Sequence, residues 1–121
     1  MAKILIIEDD TFLQGLETAK LQKYGHTVVT ASSGEEGMEK INELGLELVL
    51  LDLVLPKFDG FEILKKIRET EAIKALPVLV FSNLSEDADV KKAESLGATD
   101  FMVKSNFTLD ELAEKIKSLI K

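Results

Sequence analysis

The feature that most constrains the fold is an alternation of short apolar runs with segments that repeat at helical spacing. Residues 4–7, 48–51 and 78–81 are apolar at every position, as expected of strands that are buried on both faces of a sheet. Residues 27–30 and 101–103 carry weaker strand signals. The runs lie far enough apart for a helix to fit between each pair, which predicts parallel rather than hairpin-connected strands.

The helical segments have recognisable faces and ends. The last one has the clearest apolar stripe, formed by Leu109, Leu112, Ala113, Ile116 and Ile120. A shorter stripe is formed by Phe61, Leu64 and Ile67. Helix starts are predicted at Ser33, Asp59 and Thr108, because each has a glutamate three residues later, the spacing of a capping box. A glycine follows three of the helical stretches, where a left-handed residue often ends a helix: Gly25, Gly45 and Gly97.

Five strands alternating with five helices predict an α/β fold with a doubly wound, five-stranded parallel sheet. The 121 residues are enough for one core and too few for two, so we expect a single domain over residues 1–121. We also expect a soluble, cytoplasmic protein. The N-terminus has no cationic leader, and no apolar stretch approaches the roughly 18 residues of a membrane span.

Composition excludes several classes of function. The net charge is −7, from 22 acidic residues against 15 lysines and arginines, and a field of this sign repels nucleic acid and anionic membranes. The chain has no cysteine, which excludes disulfides and thiolate metal sites. It also lacks the glycine-rich motifs of dinucleotide and P-loop sites and the nucleophile elbow of hydrolases.

Charged and hydroxyl side chains follow the predicted strands at the points where they end. Glu8, Asp9 and Asp10 follow the first strand, and Asp52 follows the third. The fourth predicted strand ends at Ser82, and the fifth ends at Lys104. Because the carboxyl ends of parallel strands meet at one edge of a sheet, we expect these side chains to converge.

This set of residues has a coherent chemistry. Several carboxylates at close range repel one another unless a cation joins them, and hard oxygen ligands suit Mg²⁺. Such a cation, with Lys104, could stabilise a phosphoryl group on Asp52, since phosphoryl transfer depends mainly on positioning and charge. Asp52 would be the nucleophile and form an acyl phosphate. Ser82 would supply a hydroxyl to the phosphoryl oxygens.

At this point the chain resembles the receiver domains of bacterial two-component response regulators, in particular the stand-alone chemotaxis type, over essentially its whole length. The motifs that carry the resemblance are Ile7-Glu8-Asp9-Asp10, Leu51-Asp52-Leu53-Val54-Leu55-Pro56 with Asp59-Gly60, Phe81-Ser82, and Gly97-Ala98-Thr99-Asp100-Phe101-Met102-Val103-Lys104. The resemblance implies the flavodoxin-like strand order 2-1-3-4-5.

The resemblance also implies a set of site residues. Asp52 would be the phosphoacceptor, and Mg²⁺ would be held by Asp9, Asp52 and the backbone carbonyl of Val54, with Glu8 acting through water. Asp10 falls one place beyond the acidic pair of the family, which makes it a neighbour of the site.

Further roles follow from the same resemblance. Ser82 matches the switch hydroxyl, Lys104 the lysine of the active site, and Phe101 the aromatic residue that responds to phosphorylation. The implied phosphodonor is a histidine kinase or a phosphotransfer protein. The implied output is a protein contact through the last two helices and the final strand. The protein would catalyse its own phosphorylation and dephosphorylation without being a turnover enzyme.

Two residues depart from the family pattern. The family usually places a proline in a cis peptide after its lysine, whereas Ser105 follows Lys104 here. It usually places a small residue after the switch hydroxyl, whereas this chain has Asn83. The peptide bond before Ser105 is then either trans or strained, and Asn83 either crowds the phosphoryl site or donates to it.

Three alternatives remain at this stage. One is a binding module that keeps the fold without being phosphorylated. Another is a phosphatase of the haloacid-dehalogenase kind, but that chemistry needs a second aspartate where Val54 stands. The third is an idealised scaffold without function, which the repulsion among converging acids disfavours.

Overall fold

The computed structural model describes residues 2–43, 45–57 and 59–120. The five strands are β1 (Lys3–Ile7), β2 (Thr27–Ala31), β3 (Leu46–Leu51), β4 (Val78–Ser82) and β5 (Asp100–Val103). The helices are α1 (Thr11–Lys23), α2 (Gly34–Lys40), α3 (Gly60–Glu69), α4 (Asp87–Ser95) and α5 (Leu109–Leu119), with a 3₁₀ turn at Lys104–Asn106. Within the described ranges, no helix is both long and apolar enough to cross a membrane.

The strands form one parallel sheet in the order β2-β1-β3-β4-β5. This confirms the predicted fold class and strand order. The three wholly apolar runs are β1, β3 and β4, which occupy the middle of the sheet and are covered by helices on both faces. β2 and β5 lie at the edges, where only one position of each strand, Ala31 and Met102, is fully buried.

Helices on the two faces of the sheet bury two separate apolar cores. On one face, Leu21 of α1 and Leu112, Ala113 and Ile116 of α5 pack against the sheet. On the other face, residues of α3 and α4 pack with Ile41, which follows α2, and Phe101 lies against this second core. The sheet is therefore fixed from both sides, and the polar groups at its carboxyl edge are held on a rigid base.

The three predicted helix starts are confirmed, with one difference in the capping bonds of α2. Asp59 Oδ1 accepts from the Glu62 N–H at 3.0 Å, and Thr108 with Glu111 forms the complete reciprocal capping box. At α2, Ser33 Oγ accepts from the Glu36 N–H, but the Glu36 carboxylate accepts from the N–H of Ser32 instead of that of Ser33. Gly25 and Gly97 have positive φ and directly follow the C-caps of α1 and α4, as predicted. The prediction for Gly45 is wrong: α2 ends at Lys40, and Gly45, although its φ is positive, directly precedes β3.

Candidate functional site

The carboxyl edge of the sheet brings the polar ends of β1 and β3 side by side. Ile7 and Leu51 are the last paired residues of these strands. Each strand then continues for one more residue with its backbone still held: the Asp52 N–H donates to the Ile7 carbonyl at 3.0 Å, and the Glu8 N–H donates to the Ala31 carbonyl at 3.0 Å. The side chains of Glu8 and Asp52 are therefore neighbours because of the strand register.

Three carboxylates form a cluster at this edge. Glu8, Asp9 and Asp52 each present a carboxylate oxygen, and the three oxygens lie within 4.8 Å of one another. Glu8 is 2% exposed and Asp52 is 6% exposed, whereas Asp9 is exposed. The cluster is thus buried at its base and open to solvent at Asp9.

Lys104 reaches the base of this cluster from the end of β5. Its ammonium donates to Asp52 Oδ2 at 2.8 Å and to Glu8 Oε1 at 2.5 Å, and only 13% of its side chain is exposed. The site contains one ammonium and three carboxylates, so a further positive charge would reduce the repulsion among the carboxylates. The oxygen donors fit Mg²⁺, which prefers carboxylates and retains several waters.

Burial and the hydrogen bonds of the site shift the pKa values of Glu8 and Lys104 in opposite directions. The pKa of Glu8 is raised to about 7: burial raises it most, the hydrogen bond from Lys104 lowers it in part, and the charge of Asp52 raises it further. For Lys104, burial alone would lower the pKa, but the hydrogen bonds to Asp52 and Glu8 outweigh it and the pKa is raised. The ammonium therefore remains charged at neutral pH.

Asp10 has a different role from its neighbour Asp9. Its Oδ1 accepts from the Leu13 N–H at 3.0 Å, which makes Asp10 the N-cap of α1. Its own N–H donates to Glu8 Oε2 at 3.2 Å. The structure thus places Asp10 beside the acidic cluster as a structural residue, and Asp9 within it.

The loop after Asp52 is shaped by two backbone contacts. The Val54 N–H donates to Asp52 Oδ1 at 3.1 Å, so both oxygens of Asp52 have a donor. The Gly60 N–H donates to the Leu53 carbonyl at 2.9 Å. A Cβ at position 60 would lie 2.5 Å from the Asp52 carbonyl oxygen. Only glycine therefore permits α3 to begin so close to the phosphoacceptor candidate.

Ser82 and Phe101 lie on the same face of the sheet. Val80 pairs with Phe101 and Ser82 pairs with Val103, and residues two apart on a strand share a face. Ser82 is fully buried, and its Oγ accepts a long hydrogen bond of 3.4 Å from the Leu84 N–H. Phe101 is half-buried against the core beneath α3 and α4.

The two departures from the family pattern meet in space. The Ser105 N–H donates to Asn83 Oδ1 at 3.2 Å. All peptide bonds among the described residues are trans, including the one between Lys104 and Ser105. The question left open by the sequence is thus answered: a serine after the lysine is accommodated with a trans bond.

Sequence reasoning missed Glu17, a buried carboxyl group behind the site. Glu17 is 1% exposed, and its Oε1 has no hydrogen-bond partner among the described residues. Burial, followed by the negative charge of Glu8, raises its pKa to about 8. A signal was present, because Glu17 lies four residues from both Leu13 and Leu21 and so interrupts the apolar stripe of α1.

Comparison with known proteins agrees with this geometry. Residues 4–117 match the family model for the response regulator receiver domain. The transcriptional regulatory protein AfsQ1 of Streptomyces coelicolor is 38% identical over 104 residues, which cover 86% of this chain and 45% of AfsQ1. The CpxR homolog of Haemophilus influenzae is 37% identical, and the match covers 100% of this chain and 51% of the homolog. The chain thus spans about half the length, or less, of the curated relatives it matches.

The solved structures are similar over the whole chain. The chemotaxis protein CheY4 of Vibrio cholerae superposes with a TM-score of 0.91 at 26% identity, covering 99% of each chain. A match to the family model over nearly every residue, on a sheet with the predicted order and an acidic cluster at its carboxyl edge, leads to one conclusion. The chain belongs to the response regulator receiver domain family of two-component signalling proteins.

Proposed function

We propose that this receiver domain accepts a phosphoryl group on Asp52 and that the acyl phosphate switches a protein-binding surface. One observation supports this above all others. A buried aspartate has a charged lysine 2.8 Å from one oxygen and lies in a cluster of three carboxylates that can hold a cation. This is the arrangement that phosphoryl transfer to a carboxylate needs, because positioning and charge stabilisation supply most of the catalysis.

In the proposed reaction, a carboxylate oxygen of Asp52 forms a bond to phosphorus. The bond between phosphorus and the imidazole nitrogen of the donor phosphohistidine breaks, and its electron pair stays on that nitrogen. Lys104 holds Asp52 in place before transfer and can pair with the phosphoryl oxygens afterwards by charge-assisted hydrogen bonds. Ser82 can donate its hydroxyl proton to a phosphoryl oxygen, since its Oγ is the acceptor in the bond from the Leu84 N–H and that bond does not use the proton.

Magnesium would be held by Asp9, Asp52 and the Val54 carbonyl, with Glu8 acting through water. When bound, it would neutralise the acids and stabilise the negative charge of the transferring group. The oxygen cluster around Glu8, Asp9 and Asp52 supports this assignment.

The proposed phosphodonor is a histidine kinase or a phosphotransfer protein. Three of the exposed large apolar side chains follow the site residues closely in the sequence: Phe12, Val54 and Phe107 are 77%, 54% and 41% exposed. Apolar side chains beside a charged centre are typical of a surface that another protein covers. A protein donor would cover these apolar side chains while it presents its phosphohistidine to Asp52.

The proposed output is a protein contact through α4, β5 and α5. The match to AfsQ1, a transcriptional regulatory protein of about twice the length, suggests that the receiving surface can lie in the same polypeptide or in another. The net charge of −7 disfavours direct contact of this domain with nucleic acid. We place the protein in the cytoplasm, where it would catalyse its own phosphorylation and dephosphorylation without being a turnover enzyme.

The test is intact mass spectrometry after incubation with acetyl phosphate and Mg²⁺. The wild type should gain the mass of one phosphoryl group, Asp52→Asn should gain none, and omission of Mg²⁺ should remove most of the labelling. Equal labelling of Asp52→Asn, or labelling on Ser82, would contradict the assignment. A wild type that stays unlabelled would favour the alternative, a binding module that works without phosphorylation.

A further inference from the structure

The side chain of Asn83 joins two chain segments that each carry a site residue. Asn83 directly follows Ser82 at the end of β4, and Ser105 directly follows Lys104 after β5. The hydrogen bond from the Ser105 N–H to Asn83 Oδ1 measures 3.2 Å. Ser82 and Val103 are the last paired residues of the two strands. The side-chain bond therefore continues the connection between β4 and β5 beyond the end of the sheet.

The bond needs an acceptor side chain at position 83 and a residue other than proline at position 105. The backbone N–H is a donor only, so the carboxamide must present its oxygen. A proline at position 105 has no N–H to donate, and a small apolar residue at position 83 has no acceptor. The two residues that depart from the usual family pattern are therefore the two ends of one hydrogen bond.

Lys104 lies inside the segment that this bond secures. It begins the 3₁₀ turn Lys104–Asn106, and the bond within that turn, from the Phe107 N–H to the Lys104 carbonyl, is long at 3.5 Å. The turn thus has little internal support. A lysine ammonium stands at the end of a flexible side chain, so the backbone from which it extends decides where it can rest.

We propose that Asn83 is a positioning residue for phosphoryl transfer. By accepting the Ser105 N–H, it holds the turn Lys104–Asn106 against β4 and keeps the Lys104 ammonium directed at Asp52 and Glu8. This inference rests on the proposed function of Asp52. In this view, the bond between Asn83 and Ser105 fixes the backbone at Lys104.

The test compares rates of phosphorylation by acetyl phosphate at saturating Mg²⁺ in matched variants. Asn83→Ala removes the acceptor and Ser105→Pro removes the donor, whereas Ser105→Ala keeps the N–H. The first two should each lower the limiting rate constant about three- to tenfold, the effect of one lost hydrogen bond, and Ser105→Ala should match the wild type. The variant with both Asn83→Ala and Ser105→Pro should be no slower than the slower single variant, because both remove the same bond.

A second comparison shows whether Asn83 acts through Lys104. In a Lys104→Ala background, Asn83→Ala should cause no further loss of rate. If the two losses multiply, or if Asn83→Ala is as fast as the wild type, or if Ser105→Ala is as slow as Ser105→Pro, the inference is wrong. Melting temperatures of all variants show whether any loss reflects unfolding.

A third measurement does not depend on phosphorylation. The NMR signals of the Lys104 side chain should shift in Asn83→Ala and stay unchanged in Ser105→Ala, in protein without any phosphodonor. Unlabelled wild type together with shifted Lys104 signals would contradict the proposed function, although Asn83 would still fix the position of Lys104. Labelled wild type together with unmoved Lys104 signals would support the function and overturn the positioning role.

Discussion

Asp9 and Asp10 carry the same side chain at adjacent positions, and their surroundings separate them. The Asp10 carboxylate caps α1 through the Leu13 N–H, whereas the Asp9 carboxylate lies with those of Glu8 and Asp52. The first arrangement stabilises the helix with or without a metal ion. The second is repulsive until a cation binds.

Substitution of each aspartate should therefore change stability in a different way. Mg²⁺ should raise the melting temperature of the wild type, with a gain of about 2.7 kcal/mol at a hundredfold excess over its dissociation constant. Asp9→Ala should lose this response. Asp10→Ala should keep it but lose about 0.5–2 kcal/mol at all Mg²⁺ concentrations, as expected for a lost cap. Thermal unfolding with Mg²⁺ and with EDTA measures both effects, and the reverse pattern would show that Asp10 is the ligand.

Glu17 gives a pH dependence whose sign is fixed by its burial. Its pKa in the folded protein is about 8, above the ordinary value of 4.5. The folded state thus binds this proton more tightly than the unfolded state does. The free energy of unfolding contributed by Glu17 is therefore highest below pH 4.5 and falls as the pH rises toward 8.

Glu17→Gln should remove this dependence. Relative to the wild type, the variant should gain stability between about pH 5 and about pH 8, by up to about 1.4 kcal/mol per pH unit. Urea unfolding at several pH values measures the difference, with Glu114→Gln, an exposed residue, as the control. A constant offset between Glu17→Gln and the wild type would show that Glu17 is already ionised in the folded protein.

The last turn of α3 carries Arg68, whose side chain links the helix to two neighbouring loops by hydrogen bonds. Arg68 donates to the carbonyl oxygens of Leu76 at 2.7 Å, Gly97 at 2.9 Å and Lys74 at 3.1 Å. These carbonyls belong to the connections that precede β4 and β5. The planar guanidinium can reach several acceptors at once, which an ammonium cannot reproduce.

Arg68→Lys should therefore destabilise the protein by about 1–3 kcal/mol, because three carbonyl groups, two of them partly buried, lose their donor. Phosphorylation of Asp52 should keep its rate, since Arg68 binds at the edge of the sheet opposite the acidic cluster. Urea unfolding and the acetyl phosphate reaction measure the two properties. Lys65→Arg, on the exposed face of the same helix, serves as the control. If the free energy of unfolding of Arg68→Lys lies within about 0.5 kcal/mol of the wild type, the hydrogen bonds of Arg68 do not stabilise the fold in this way.

The elements show what the sequence could and could not reveal. The apolar runs of β1, β3 and β4 predicted the middle of the sheet, because only buried strands are apolar on both faces. The observed strands extend by one or two residues beyond those runs, for example to Lys3 and Leu46, which pair with each other. Strand ends depend on the partner strand, which a local pattern does not contain.

For the candidate site, the sequence could predict which backbone positions come together but not which side chains make contact. The strand ends predicted that Glu8, Asp52 and Lys104 would meet, because topology alone brings them together. Glu17 was missed because a glutamate on a helix ordinarily lies at the surface. The bond between Asn83 and Ser105 was also out of reach, since a contact between two loops depends on geometry that no spacing encodes.

At the scale of the whole molecule, α4 and α5, which lie on opposite faces of the sheet, are held with different strength. On the α4 side, Ala93 is the fully buried residue of the helix, and Glu86 makes no side-chain capping bond to the described residues. On the opposite side, α5 buries three residues and has a complete capping box. Ser82 and Phe101 both face the α4 side, so we expect a change at Asp52 to act on α4, the more weakly held of the two helices.

This arrangement predicts how phosphorylation would alter the surface. A dianionic group on Asp52 should draw the Ser82 hydroxyl toward it, since the bond from the Leu84 N–H is long. Space is then freed beside Phe101, which can turn inward from its half-buried position and shift α4. Such a change is a population shift between two states, and a few kcal/mol of preference is enough to drive it.

Beryllofluoride with Mg²⁺, as a phosphoryl mimic, allows this switch to be measured by NMR. The ring signals of Phe101 and the amide signals of residues 86–104 should shift, while those of α1 and β2 should change little. Asp52→Asn should show no response, and Ser82→Ala should still respond around Asp52 but with a smaller shift at Phe101, because the connecting hydroxyl is gone. Shifts confined to the loops around Asp52 in the wild type would contradict this route, and the output surface would then have to be sought nearer the phosphoacceptor itself.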